Sequence, residues 1–218
     1  MSETTVHCQP IVEMRFQENA YVVYTRSDGP CWIVDPGFAP QHERIAAFIK
    51  QHRLTPEAIL ITHGHADHIA GIDDVAGLYP QIGLWVGENE KPMLYDSNLN
   101  LSAPFGHAVE VRKETTRILR VGERLELDDT SWEVRDTSGH STGGVSFYCA
   151  QAGVVLVGDA LFAGSIGRTD FPGGSHEKLI DNIRRHLFSL PGQTVVHSGH
   201  GPATTVEIER KSNPFFVD

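Results

Sequence analysis

The sequence predicts an α+β fold in which two mixed β-sheets pack face to face and helices cover their outer surfaces. Both halves of the chain show the same pattern, because each begins with short strands joined by turns and then alternates strands with helical segments. No linker of biased composition separates the halves, which predicts a single domain over residues 1-218. A chain of this length can bury one sizeable core.

The first half is predicted to contain five strands and two helices. Apolar residues recur at helical spacing in 41-52, whereas 57-62 is a short apolar run typical of a strand buried on both faces. Pro36 and Gly37 end the third strand, and Pro80 ends the second helix. The predicted elements are strands at 11-16, 20-25 and 31-35, a helix at 41-52, a strand at 57-62, a helix at 67-80 and a strand at 82-87.

A long loop is predicted to open the second half. Residues 96-116 have no clear hydrophobic period, and loops of this length inside a domain are often functional. We expect this loop to shape substrate choice, with a plain surface excursion as the alternative. The elements predicted after it are strands at 117-121, 124-128, 131-137, 145-150 and 153-159, a helix at 175-190, a strand at 194-199 and a helix at 203-212.

Composition narrows the classes of function. The formal net charge is -10, and a protein that grips phosphates needs a basic face, so we expect no nucleic-acid partner. No run of apolar residues is long enough for a membrane span, and the first residues lack the pattern of an export signal, so we expect a cytoplasmic protein. Cys8, Cys31 and Cys149 do not have the spacing of a disulfide framework. The sequence does not indicate an oligomeric state.

His63, His65, Asp67 and His68 form the strongest motif, directly after a predicted strand. Alternate side chains of an extended backbone point to the same side, so His63 and His65 can reach one ion. Neutral imidazole and carboxylate groups are ligands that zinc and iron favour. One four-coordinate ion cannot readily use all four groups, so the spacing suggests two neighbouring ions.

Three further polar residues follow short apolar strands, where loops often assemble functional sites. His140 lies in a Gly-rich turn, Asp159 ends a strand, and His200 stands between two glycines. Each is a weak signal alone, because a turn histidine is often an ordinary loop residue and Asp159 could cap a following segment. Their occurrence together with the first cluster predicts a shared site, in which an aspartate between two cations can bridge them.

The segments THGHADH, SGHSTGG, VGD and SGHGP, together with the earlier IVDPG, resemble the metallo-β-lactamase superfamily over nearly the whole chain. The resemblance implies an αββα sandwich with two divalent metal ions at one edge, zinc foremost and iron or manganese as alternatives. It also implies that Asp35 lies near the site without binding metal. Carried over by motif, the ligands are His63, His65 and His140 for the first ion, Asp67, His68 and His200 for the second, and Asp159 between them.

Residues 158-174, GDALFAGSIGRTDFPGG, resemble the glyoxalase II branch of that superfamily. The resemblance implies a hydroxyacylglutathione hydrolase-like enzyme that cleaves a small anionic thioester with a metal-activated hydroxide, assisted by Asp67. Arg168 matches a basic contact to the glutathione carrier, and an ion pair with Asp170 is the alternative. Asp170 and Pro202 replace two tyrosines of the longer enzymes, so glutathione as the carrier stays open.

Two other functions stay open. The segment GRTDF also resembles persulfide dioxygenases, which would place a single iron among His63, His140 and Asp159. The segment GHGP around His200 favours the hydrolase instead. A metal-binding domain without turnover is the third possibility. Classical β-lactamases would have a cysteine near Asp159, and none is present there.

Overall fold

Two six-stranded β-sheets form the framework of the protein in the computed structural model, which describes residues 5-217. The strands are β1 (His7–Val12), β2 (Asn19–Tyr24), β3 (Pro30–Val34), β4 (Thr55–Ile61), β5 (Gly83–Gly87), β6 (Arg117–Leu119), β7 (Arg124–Leu127), β8 (Thr130–Asp136), β9 (Val145–Cys149), β10 (Val154–Gly158), β11 (Leu161–Phe162), β12 (Ser165–Ile166), β13 (Val195–Ser198) and β14 (Thr204–Thr205). The helices are α1 (Gln41–His52), α2 (Ala66–Ile69), α3 (Ile72–Leu78), α4 (Lys91–Leu94), α5 (His176–Asn182) and α6 (Val206–Ser212), with a 3-10 turn at Ala103–Phe105 and a π-helical turn at Ile183–Leu187.

Both six-stranded sheets are mixed, which confirms the predicted architecture. The first has the order β1-β2-β3-β4-β5-β6, antiparallel as far as β3 and parallel from β3 to β6. The second has the order β14-β13-β10-β9-β8-β7, and within it β10 and β13 form the parallel pair. None of the helices within residues 5-217 is long and apolar enough to cross a membrane.

Strand β4 shows how the layers form, because its alternate residues enter different cores. Ile59 and Ile61 belong to a buried cluster with residues of α1 and α3 on the outer face of the first sheet. Ala58 and Leu60 belong to the cluster between the sheets, together with Trp132 of β8. A third cluster joins the second sheet to α5 and α6. The layers therefore follow the order helix, sheet, sheet, helix.

The first strand lies earlier than predicted. It ends at Val12 instead of extending over 11-16, because the chain turns back at once. The N–H of Glu13 donates to the carbonyl of Glu18 at 2.6 Å, and the Glu13 carboxylate accepts the N–H of Arg15 at 2.7 Å. This turn, and not a continued strand, leads the chain into β2.

Several helices also differ from the prediction. The last helix begins at Val206 and not at 203, because the two preceding residues first pair with β13 as strand β14. The helix predicted at 175-190 is α5 followed by the π-helical turn. Helix α1 matches the predicted 41-52 at both ends. The short hairpin β11-β12 was not predicted, because two-residue strands carry no hydrophobic period.

Strand ends place the loops that carry the predicted site residues. His63 follows β4, His140 lies in the loop after β8, Asp159 follows β10 and His200 follows β13. Strands β8, β10 and β13 point in one direction, since β9 is antiparallel to both β8 and β10. Their carboxyl ends therefore lie at the same edge of the second sheet.

The helix predicted at 67-80 is broken into α2 and α3 at Gly71, which packs against the turn after β3. The Gly71 N–H donates to the Pro36 carbonyl at 2.8 Å. A Cβ at Gly71 would lie 2.4 Å from the carbonyl oxygen of Gly37 and 3.0 Å from that of Pro36. Close approach of two backbone segments thus requires glycine at this position.

We expect Gly71→Ala to lower the free energy of unfolding by about 1–3 kcal/mol, because backbone atoms cannot move aside for the methyl group. Gly77→Ala in α3 is the matched control, since nothing lies within 4 Å of its added methyl group. Alanine favours helix, so this variant should gain about 0.5–1 kcal/mol. Urea unfolding followed by circular dichroism measures both changes. Equal stability of the two variants would contradict the packing argument.

Candidate metal centre

The first cluster of predicted ligands lies in the turn between β4 and α2. His65 has an extended backbone and immediately precedes α2, which carries Asp67 and His68. Gly64 lets the turn pass close to α4, because a Cβ at this position would lie 2.5 Å from a neighbouring side-chain carbon. His63 and His65 therefore project from the turn, while the other two side chains project from the helix.

A buried carboxylate, that of Glu90, joins this turn to the loop after β8. It accepts a hydrogen bond from the N–H of Gly64 at 2.6 Å and another from the N–H of Gly143. Burial raises the pKa of Glu90, and the two N–H donors oppose that shift. Sequence reasoning missed this residue, because a single glutamate beside a short helix has no distinguishing pattern.

The seven predicted ligand side chains come together in two adjoining groups. The groups are His63, His65 and His140, and Asp67, His68 and His200, with the ligand atoms of each group within 4.8 Å of one another. Asp159 lies between the groups. Its carboxylate oxygens are 3.4 Å from Nε2 of His68, 3.5 Å from Nε2 of His200 and 3.7 Å from Nε2 of His140.

Four buried atoms in the middle of this cluster have no hydrogen-bond partner among the described residues. They are Nε2 of His63, of His68 and of His140, and Oδ1 of Asp159. Buried polar atoms are nearly always paired, because leaving one unpaired costs free energy. Converging imidazole nitrogens and carboxylate oxygens are the ligands that a divalent cation requires, so these residues fit a metal centre.

The outward-facing ring nitrogens of two histidines are anchored by backbone carbonyls. Nδ1 of His140 lies 2.7 Å from the carbonyl oxygen of Arg168, and Nδ1 of His200 lies 3.0 Å from that of Phe16. A carbonyl oxygen can only accept, so each Nδ1 carries the proton and donates it. In a neutral ring the lone pair is then left on Nε2, the atom that faces the cluster.

His63 and His68 are anchored through Asp35. Nδ1 of His68 lies 3.1 Å from Oδ2 of Asp35, and Nδ1 of His63 lies 3.1 Å from the hydroxyl of Thr62. That hydroxyl donates to Asp35 at 2.5 Å, so it accepts from His63. Asp35 also accepts the Thr62 N–H. One Asp35 oxygen lies within 4.8 Å of a ring nitrogen of both histidines. Because Asp35 accepts hydrogen bonds from His68 and Thr62, we assign it to orienting the two rings. The role of Thr62 was not predicted from the sequence.

Two imidazoles of the first group, those of His63 and His65, are held neutral. Burial lowers the pKa of His63 well below its ordinary value, and the neighbouring rings lower it further. Burial and the His140 ring lower the pKa of His65 to about 3. A neutral imidazole is the form that binds a cation, so both rings are in the required state at physiological pH.

The carboxylates of Asp67 and Asp159 concentrate negative charge around His68. Burial would raise the pKa of Asp159, but the rings of His68, His200 and His140 outweigh burial and lower it. Burial would likewise lower the pKa of His68, yet the carboxylates of Asp159 and Asp67 raise it well above its ordinary value. The carboxylates therefore attract positive charge to this point, whether a proton or a metal ion supplies it.

The cluster opens into a cavity of about 500 Å³. Arg168 lines this cavity, and its guanidinium also forms two 2.7 Å hydrogen bonds to Asp170 and lies 3.9 Å from the ring centre of Phe171. The ion pair of Arg168 with Asp170 is thus present, whereas a contact of Arg168 with a substrate stays a prediction. Residues of the 96-116 loop, including His107, reach the cavity, while their effect on substrate choice stays a prediction.

The metallo-beta-lactamase superfamily matches residues 14-200. The chain is 41% identical over 199 residues to YqgX, a probable metallo-hydrolase of Bacillus subtilis (strain 168), with 91% of this chain and 92% of the relative covered. It is 34% identical over 202 residues to the hydroxyacylglutathione hydrolase GloC of Haemophilus influenzae (strain ATCC 51907 / DSM 11121 / KW20 / Rd), with 92% and 93% covered.

Solved structures share the fold over nearly their full length. The B3 metallo-beta-lactamase BLEG-1 matches with a TM-score of 0.91 at 37% identity, covering 97% of this chain and 100% of that chain. TTHA1623, solved in a di-iron-bound form, matches with a TM-score of 0.83 at 35% identity, covering 95% and 99%. The superfamily match, the relatives and the shared fold show that this chain belongs to the metallo-β-lactamase superfamily.

Proposed function

We propose that this protein is a hydrolase that cleaves a small-molecule thioester at a centre of two divalent cations. The observation that carries the proposal is the convergence of unpaired buried lone pairs from two adjoining groups of residues. The first ion would be held by His63, His65 and His140, the second by Asp67, His68 and His200, with Asp159 between them.

The donor set of imidazoles and carboxylates suits zinc first, with iron or manganese as alternatives. Ligand type alone does not choose among these ions, because availability also decides which one is loaded. The related TTHA1623 was solved with two irons, so a centre of two ions is compatible with this fold.

Two bound cations would lower the pKa of a water molecule and polarise the substrate carbonyl. In the overall reaction water adds to the carbonyl carbon, the C–S bond breaks, and sulfur leaves with the electron pair and takes a proton. Asp67 lines the cavity, and its Oδ2 lies 3.3 Å from Nε2 of His200. From this position its carboxylate can take a proton from the water and pass it to the sulfur. A thiol has a pKa of about 8.5, so a thiolate leaves without a strong general acid.

A thioester substrate is supported by the name of one relative, the hydroxyacylglutathione hydrolase GloC. The structural match to BLEG-1, described as a B3 metallo-beta-lactamase, makes β-lactam hydrolysis a second candidate. A persulfide dioxygenase would need one iron at His63, His140 and Asp159. The complete second group, with the His68 and His200 rings anchored, supports the two-ion hydrolase over that alternative.

Asp67→Ala should reduce the metal content from about two ions per chain to about one, because it removes a ligand of the second group alone. Thioester hydrolysis should fall by about 10²- to 10³-fold, since one of the two sources of charge stabilisation is lost. Elemental analysis of protein purified without added metal, together with release of free thiol, measures both effects.

His176→Ala is the matched control, because His176 is exposed and lies outside the cluster. It should retain both the metal content and the activity of the parent protein. A parent protein that cleaves β-lactams but no thioester would support the second candidate. Oxygen consumption with a persulfide that survives Asp67→Ala would overturn the hydrolase assignment in favour of the dioxygenase.

Asp35→Asn should weaken metal affinity by about 10- to 100-fold, because Asp35 orients His68 directly and His63 through Thr62. Asparagine also tolerates the positive φ of 51° at this position, so the backbone should be retained. Competition with a fluorescent chelator measures the affinity. Asp181→Asn, at an exposed residue paired with Arg185, is the control. Identical affinities in the two variants would remove Asp35 from the orienting network.

A further inference from the structure

Aromatic side chains border the proposed metal centre on both sides. The ring of Phe171 lies edge-on to His65 with 5.9 Å between centroids, and the ring of Phe162 lies edge-on to His200 at 6.1 Å. Each of the two ligand groups thus has a phenyl ring beside it in the cavity. The cavity next to both ligand groups is therefore partly lined by apolar rings.

A second set of rings forms the outer wall of the same cavity. Phe38 lies 5.3 Å from Phe16 and 5.4 Å from His107, measured between ring centroids. Phe105, on the 3-10 turn of the 96-116 loop, also lines the cavity and is 65% exposed. An exposed apolar surface at the rim of a pocket is typical of a binding site, because water leaves it when a ligand binds.

The cavity offers little free positive charge. Among its described lining residues the single arginine or lysine is Arg168. Its guanidinium is paired through two hydrogen bonds with Asp170 and stacked on Phe171. A ligand with several carboxylates would have to compete with Asp170 for this group. The wall therefore recognises apolar groups better than it recognises multiple negative charges.

We propose that this cavity selects thioesters that carry an aromatic acyl group on a carrier of low charge, and that Phe105 and Phe38 set this preference. The inference rests on the proposed thioester hydrolysis and specifies its substrate class. A glutathione carrier brings two carboxylates into a pocket wall whose single arginine is already paired with Asp170, so it should be the poorer of two otherwise equal carriers.

The test compares acetyl and phenylacetyl thioesters of N-acetylcysteamine, a neutral thiol, and the phenylacetyl thioester of glutathione. Each kcat/KM is divided by the rate constant for alkaline hydrolysis of the same ester, which removes intrinsic reactivity. On the neutral carrier we expect the phenylacetyl ester to exceed the acetyl ester by about tenfold or more. Phe105→Ala and Phe38→Ala should each lower that ratio by about threefold or more, because the phenylacetyl ester loses more rate than the acetyl ester.

Phe215→Ala is the matched control, because Phe215 is an exposed phenylalanine outside the cavity and should leave the ratio unchanged. Equal normalised rates for the two acyl groups, or ratios unaffected by either cavity substitution, would overturn the proposal. Faster cleavage of the phenylacetyl ester of glutathione than of the phenylacetyl ester of N-acetylcysteamine would overturn the proposed preference for a carrier of low charge.

A binding measurement separates failure of this inference from failure of the proposed reaction. The 2-phenylethyl thioether of N-acetylcysteamine cannot be hydrolysed, and calorimetry gives its affinity for the protein as purified. If no thioester is cleaved, the proposed function fails, but thioether binding weakened by Phe105→Ala still supports the aromatic selectivity of the cavity. Absence of thioether binding, or binding that neither Phe105→Ala nor Phe38→Ala changes, would overturn the proposed aromatic selectivity.

Discussion

The central constraint on this structure is that several buried ligand atoms converge on one point. Nε2 of His63, His68 and His140 and a carboxylate oxygen of Asp159 are unpaired among the described residues. Such an arrangement costs free energy unless positive charge occupies the space between the atoms. The orientations of the rings are fixed by hydrogen bonds from their Nδ1 atoms, to the Arg168 carbonyl for His140 and to Asp35 for His68. The unpaired polar atoms at this point lower the stability of the folded chain, and such local destabilisation is typical of a binding site.

The centre also ties the two sheets together. Asp35, His63 and His68 come from the first sheet and its following turn, whereas Asp159 and His200 come from the ends of two strands of the second sheet. Hydrogen bonds cross between these parts independently of the ligands. For example, Glu90 accepts N–H donors from the loops that follow β4 and β8. Preorganisation of this kind holds ligand positions before a cation arrives.

Sequence reasoning reached the residues with strong local patterns, and the resemblance placed Asp35 near the site, but two residues that act through orientation were missed. The spacing of His63 and His65 with Asp67 and His68 pointed to a metal site without any structure. Apolar periodicity likewise located α1 at both ends. Thr62 and Glu90 carry no such pattern, because a hydroxyl and a carboxylate become anchors only when the fold brings donors to them. The break at Gly71 was missed for a similar reason, since it depends on a backbone segment distant in sequence.

Anomalous X-ray diffraction from crystals of the protein purified without added metal would locate the bound ions. Two anomalous peaks are expected, the first enclosed by His63, His65 and His140. The second is expected beside His68 and His200, with the carboxylate of Asp159 between the two peaks. A single peak at full occupancy, or ions located away from these side chains, would contradict the two-cation centre on which the proposed hydrolysis depends.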